Sequence, residues 1–373
     1  MREFIDGAEA VARGALVAGC NFFAGYPITP ATPILLRMLR ELPKVDGVAI
    51  QGEDEIASIG MGIGAAMTGV KAMTATSGPG LSLYSENIGM AIMGEVPLVI
   101  VNVMRLGPAT GGATSVSQGD VQFLRWVTSG GFPIIALCPS NLAECYTLTQ
   151  QAFNLAERFR TPVFLATDKE MINAQQSVDT ATFEKLPIVN RVYALTDSPF
   201  VPYHTKKLAD VPAFAPIGGE QLTRLTTSMH DERGIITKRT AAVNKTSRHL
   251  WQKIEAHRDE LEMCKYDQQP GAPTLVISYG TTARSMIEAM RNTRATGKAV
   301  STLVIHSLWP VPEKAIRAAL QGISRVIVPE LNFGQYRLEI ERLAAASDPR
   351  PQVIGVNRVD GELITPEEIQ EQI

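Results

Sequence analysis

From its first residues to about Asp168 the sequence alternates between segments of helical periodicity and short apolar, β-branched runs. "DGAEAVARGALVAG" reads as a helix with Asp6 as a candidate N-cap, "NFFAGYP" as a strand, "TPATPILLRMLREL" as a helix and "VAIQ" as a strand. "EIASIGMGIGAAM", "KAMTAT", a "SGPG" turn, "LSLYSENIGMAIM" and "VPLVIVNVM" continue the pattern, and "FPIIALC", "NLAECYTLTQQAFNLAERF" and "TPVFLATD" close it. Such alternation predicts an α/β fold with a parallel sheet covered by helices, its ligands gathered at the carboxyl ends of the strands. From about Asn173 to His249 the rhythm is lost in a Pro- and Gly-rich stretch that includes "DSPFVPYHTKKLADVPAFAPIGGEQL" and reads as a long surface connector. It returns in "PTLVISYG", "TTARSMIEAMRN", "KAVSTLVIHSLWP", "SRVIVPE" and "FGQYRLEIERLAAA", a second, smaller α/β unit.

Composition narrows the function. A net charge of −3 over 373 residues offers no broad cationic field for nucleic acid. Cys20, Cys138, Cys145 and Cys264 have no CxxC spacing, so this chain alone is not expected to ligate an iron–sulfur cluster or a structural zinc. The opening "MREFIDGAEAV" lacks a basic n-region, and the longest charge-free runs fall short of the roughly 20 residues that cross a bilayer, so a cytoplasmic protein without a membrane span is expected.

"GMGIGA" has the spacing of a dinucleotide fingerprint through Gly60, Gly62 and Ala65, but the segment before it is acidic and helical, and no strand-terminal acid follows at the required distance. The preferred reading is close helix packing by Gly60, Gly62, Gly64 and Ala65.

Three positions at strand ends carry candidate chemistry. Glu55 follows "VAIQ" at a helix start, beside Glu53 and Asp54; it serves either as a helix-terminal carboxylate or as a proton-handling group. Arg105 ends "VPLVIVNVM" and leads into "RLGPATGGATSVSQGD", a loop able to approach an anion while the guanidinium pairs with a carboxylate. Thr29 stands between Pro27 and Pro30, whose fixed torsions aim its hydroxyl; helix capping is the alternative.

Taken together, "AGYPITPATPI", "EDEIASIGMGIGA", "AMTATSGPGLSL", "PLVIVNVMRLGPATGGAT" with "QGDV", "AFNLAERFRTPVFLATD", "MHDERG", "SLWPVPE" and "VPELNFGQ" resemble, in order over nearly the whole chain, the α subunit of 2-oxoacid:ferredoxin oxidoreductases, most of all the 2-oxoglutarate type. The resemblance implies a pyrimidine-type thiamine diphosphate domain over 1–175, an irregular connector over 176–248 and a transketolase C-terminal-like domain over 249–373. It implies a thiamine diphosphate shared with a β subunit, which itself supplies the diphosphate site, Mg2+ and a 4Fe-4S cluster; no GDG motif with a downstream Asn occurs here.

By the same resemblance Glu55 is the catalytic group that hydrogen-bonds the aminopyrimidine ring. Thr29 and Arg105 are ligands of the oxo and carboxylate end of the substrate, with Thr29 also beside the cofactor, and Thr114 contacts the rest of the substrate. The implied reaction is oxidative decarboxylation of a 2-oxoacid to an acyl-CoA, with single electrons passed to ferredoxin by an assembly such as (αβ)2. Pyruvate, branched-chain or aryl 2-oxoacids are alternative substrates, and a non-catalytic scaffold subunit is the alternative of another kind. Leu106, Ala109 and Ala31 stand where the family commonly has a glycine and two serines, so the substrate is less fixed than the reaction. His230 and Arg233 of "MHDERG" are read as structural before catalytic.

Overall fold

The computed structural model describes residues 2–195 and 199–373. Asp197 and Ser198, which open the Pro- and Gly-rich stretch, lie outside the described residues.

The first unit is built on a seven-stranded sheet. Its parallel strands Cys20–Gly25, Val48–Gln51, Lys71–Thr76, Leu98–Met104, Ile135–Leu137 and Pro162–Asp168 are crossed by helices on both faces. Lys71–Thr76, Leu98–Met104 and Pro162–Asp168 are buried at every residue, because helices cover both sides of a parallel sheet. Asp6 caps the helix Gly7–Val17 by accepting from Glu9 N at 2.8 Å, as expected.

Three local expectations change. "SGPG" is no free-standing turn: Gly78 and Pro79 are the first residues of the helix Gly78–Met93, where a proline costs no backbone bond. "REFI" is a strand, Arg2–Ile5, antiparallel to Gln176–Asp179, so the connector begins with ordered pairing. Ser307–Trp309, from the second unit, crosses over to form the seventh strand of the first sheet, antiparallel to Ile135–Leu137.

The second sheet holds the parallel strands Thr274–Ser278, Val300–Ile305, Arg325–Glu330 and Gln352–Asn357, with Cys264–Asp267 antiparallel at one edge. One apolar core runs through both units, from Ile59, Tyr84 and Phe164 to Leu275, Leu303 and Trp309. Polar bonds reinforce the junction: Gln118 donates to Tyr279 O, and its carbonyl oxygen accepts from Thr282 Oγ1 and Leu331 N.

The connector is bound to the first unit rather than draped loosely over it. Arg191 and Glu157 form a buried ion pair at 2.5 Å, and Arg191 also donates to Ala66 O and Val70 O. The helix Thr240–Glu255 runs through position 249, and its His249 and Lys253 meet Glu95 of the first unit at 3.0 and 2.8 Å. Burial works against the charge on Glu95, yet Lys253 and His249 hold its carboxyl well below the usual range.

Candidate active site

The parallel strands of the first sheet end on one edge, and the first four in chain order deliver a candidate group each: the Thr29 loop, Glu55, the Ser77–Gly80 turn of helix, and Arg105. Glu55 is the first residue of the helix Glu55–Met67 and is 8% exposed. Asp54, not Glu55, is the cap, accepting from Ala57 N at 2.7 Å. Among the described residues no group donates a hydrogen bond to the Glu55 side chain. Its Cγ and Oε1 lie against Gly80, 2.9 Å from where a Cβ there would stand. A carboxylate on a nearly buried residue with no donor of its own is suited to be the acceptor for a donor brought by another molecule.

On the far side of the same helical turn, a cavity of about 800 Å³ opens between the two units. Gly78, Arg105, Leu106 and Asp120 line it from the first unit, Asn332 and Phe333 from the second. Arg105 is 6% exposed; its Nη1 donates to the carbonyl oxygen of Thr29, while its Nε is buried without a partner. Ser77 Oγ and Asn102 Oδ1 are likewise buried and unpaired, which concentrates unmet hydrogen-bonding capacity at this edge. Burial pulls the Arg105 guanidinium down from its ordinary range, and Asp120 acts against that. Asn102 Nδ2 donates to Asp120 Oδ2 at 3.0 Å.

The second unit's share of the wall is rigid. Asn332 donates to Gln118 O and Tyr279 Oη, at 2.8 and 2.9 Å, and accepts from Gly334 N and Gln335 N. Phe333, between these anchors, is 81% exposed, so its ring is held at the cavity rather than in the core.

The structure thus brings Arg105 to the cavity and the Thr29 carbonyl to Arg105, with Glu55 behind the first turn of Gly78–Met93. It does not bring the Thr29 side chain into helix capping: Ala31 is the N-cap of Thr32–Glu41 and makes no side-chain bond. The Thr29 residue is exposed, and Thr114 is exposed and outside the cavity lining. The glycines of "GMGIGA" lie inside the helix Glu55–Met67, not at a strand-to-helix turn, so no dinucleotide cradle forms there. Only part of the packing expectation stands: Gly62 is buried against Leu98, whereas a Cβ at Gly60 or Gly64 would meet nothing within 4 Å. His230 of "MHDERG" is buried, its ring nitrogens facing Asp231 O and Met93 O, and Arg233 is exposed.

Asp120, Asn102 and Phe333 escaped the sequence reading as site residues. Asp120 sits in "QGDV", a segment too short to mark the acid as a site residue by itself.

Comparison with known proteins agrees with this architecture. Residues 13–250 match the family pyruvate flavodoxin/ferredoxin oxidoreductase, thiamine diphosphate-binding, and residues 272–369 match pyruvate:ferredoxin oxidoreductase core domain II. The chain is 40% identical to 2-oxoglutarate synthase subunit KorA of Methanocaldococcus jannaschii, over 100% of this chain and 99% of that one. It is 32% identical to ketoisovalerate oxidoreductase subunit VorB of Methanothermobacter thermautotrophicus, over 100% and 97%. Among solved structures it resembles the 2-oxoglutarate:ferredoxin oxidoreductase of Magnetococcus marinus, determined with 2-oxoglutarate, coenzyme A and succinyl-CoA, at a TM-score of 0.90 and 32% identity. That match covers 99% of this chain but 64% of the other. A split-gene transketolase aligns at a TM-score of 0.56 with 12% identity, which shows a shared fold alone. With two α/β units in this order and both family regions matched, the chain belongs to the 2-oxoacid:ferredoxin oxidoreductase family.

Proposed function

We propose that this chain is the α subunit of a coenzyme A-dependent 2-oxoglutarate:ferredoxin oxidoreductase, active only when assembled with its β subunit. The reaction consumes a 2-oxoacid, coenzyme A and two oxidised ferredoxins, and yields acyl-CoA, carbon dioxide, a proton and two reduced ferredoxins. With 2-oxoglutarate the acyl product is succinyl-CoA. The observation that carries the reading is Glu55, a nearly buried carboxylate at a strand-end crevice with no donor among the described residues.

That carboxylate fits the pyrimidine side of thiamine diphosphate, which supplies, when bound, a nucleophilic carbon able to hold the electrons released by decarboxylation. Glu55 accepts from the ring nitrogen and holds or shares the proton there, a general acid–base task. Arg105 binds the substrate carboxylate through Nη2, the nitrogen that is neither buried nor bonded, and the bond from Nη1 to the Thr29 carbonyl fixes the guanidinium in place. Thr29 and Thr114 are proposed as further substrate ligands, both on exposed loops that assembly with a partner would cover. Leu106 and Phe333 give the cavity apolar walls.

The β subunit would carry the diphosphate site, Mg2+ and a 4Fe-4S cluster, in an (αβ)2 assembly in the cytoplasm. No helix among the described residues is long and apolar enough to cross a membrane. The three-part division into 1–175, 176–248 and 249–373 is kept as the domain proposal, with the helix Thr240–Glu255 running across the boundary between the last two.

The test is to purify the assembled complex without oxygen and assay 2-oxoglutarate, pyruvate, 2-oxoisovalerate and an aryl 2-oxoacid with coenzyme A and ferredoxin. The highest kcat/KM is expected for 2-oxoglutarate. No reduction with any of the four acids would overturn the reading.

A further inference from the structure

Two charged side chains line the cavity among the described residues, Arg105 and Asp120, and no ion pair within 4.0 Å joins them. Each is instead committed elsewhere by one atom only. Arg105 Nη1 is bound to the Thr29 carbonyl, and Asp120 Oδ2 accepts from Asn102 at 3.0 Å. That leaves the other terminal nitrogen of Arg105, Nη2, and the Oδ1 of Asp120 without a bonding partner among the described residues at the cavity both side chains line. Gly78 keeps that space open beside the acid, since a Cβ there would stand 3.7 Å from both carboxylate oxygens.

Accepting that the site takes a 2-oxoacid, we propose that Asp120 is a second substrate-binding group: as a neutral acid it donates a hydrogen bond to the bound substrate whose carboxylate pairs with Arg105. An ionised Asp120 would oppose an incoming carboxylate, because two like charges in one poorly solvated site cannot both be kept. Burial already pushes the Asp120 carboxyl up, while the Asn102 amide and the Arg105 charge work the other way. When the substrate anion occupies Arg105, the charge that favours ionisation of Asp120 is neutralised and a repelling one is added. One proton is therefore taken from solvent as the substrate binds and returned as the site empties, with no bond to carbon made or broken.

This separates Asp120 from a residue that merely steadies Arg105. If its role were to hold the guanidinium by its negative charge, an uncharged amide would weaken binding at every pH. A neutral donor is replaced by that amide without loss.

The experiment uses the assembled complex with saturating coenzyme A, measuring KM and kcat for 2-oxoglutarate between pH 6 and 9. In the unmodified complex KM is expected to rise with pH, approaching about tenfold per unit above the pKa of the free acid. Asp120→Asn is expected to give a flat KM near the low-pH value, with kcat within a few-fold. Asp120→Ala, which lacks the donor, is expected to raise the low-pH KM by about threefold to tenfold. A KM for Asp120→Asn that keeps the unmodified pH slope, or that is raised at all pH values as in Asp120→Ala, would overturn the proposal, as would a pH-independent KM in the unmodified complex. An unmodified complex that oxidises no 2-oxoacid would instead overturn the functional reading on which this one stands.

Discussion

Gly80 and Glu55 meet at the site in a contact that leaves no room for a methyl group: a Cβ on Gly80 would stand 2.9 Å from Glu55 Oε1 and 2.2 Å from Thr76 Oγ1. Gly80→Ala is therefore expected to cost about 1–3 kcal/mol of stability through overpacking. The displaced carboxylate should also lower the affinity of the assembled complex for thiamine diphosphate by tenfold or more. Chemical denaturation and a cofactor titration monitored by fluorescence check both parts. Unchanged cofactor affinity would show that the Glu55 position tolerates a shift.

Arg105 holds its guanidinium with one bond to the Thr29 carbonyl and keeps other donors for a ligand. A lysine carries the charge but not the planar fork. Arg105→Lys should raise KM for 2-oxoglutarate by about tenfold to a hundredfold, as expected for losing a charge-assisted hydrogen bond worth roughly 1.5–3 kcal/mol. The fall in kcat should be smaller. A KM that stays put while kcat collapses would place Arg105 elsewhere in the reaction.

Much of the fold is legible in the sequence, and the reasons differ by element. The strand-and-helix alternation marks both sheets because a strand covered on two faces must be largely apolar, as Leu98–Met104 is apart from Asn102. Glu55 stood out because an acid run heading an apolar helix is unusual in itself. Ser307–Trp309 could not be assigned to the first sheet, since three residues carry no period and its partner lies about 170 positions away in Ile135–Leu137. Asp120 was hidden for a related reason: its meaning depends on Asn102 and Arg105 approaching it in space. Thr114 shows the reverse case, a loop threonine whose sequence context suggests a ligand while the structure of the chain alone leaves it exposed.

The buried pair Arg191–Glu157, with side-chain exposures of 1% and 3%, pins the connector to the first unit. Arg191→Met leaves the Glu157 carboxylate buried without its counter-charge and should destabilise the chain by about 3–5 kcal/mol. Urea denaturation measures this, and limited proteolysis should show earlier cleavage within the connector. Wild-type stability would mean that the remaining backbone bonds of the connector suffice.

Asp168 gives a pH signature to folding. It is wholly buried near the junction of the units, accepting from Met171 N at 2.9 Å and Thr281 N at 3.3 Å, and burial pushes its carboxyl up to about 6 against these donors. Because the folded value lies above the unfolded one of 3.8, the folded state keeps the proton longer, and stability falls as pH rises from about 4 to about 6 and is level above. A shift of this size corresponds to about 3 kcal/mol. Asp168→Asn, which keeps an acceptor, should remove that slope, so its stability relative to the unmodified chain rises across this window. A difference that is constant from pH 4 to 8 would contradict it.

The most direct test of the account is the turnover of the assembled complex carrying Glu55→Gln. An amide cannot hold or share the ring proton, so kcat with 2-oxoglutarate, coenzyme A and ferredoxin should fall by about a hundredfold to ten-thousandfold, with assembly and thermal stability nearly unchanged. Turnover within a few-fold of the unmodified complex would contradict a catalytic role for this chain.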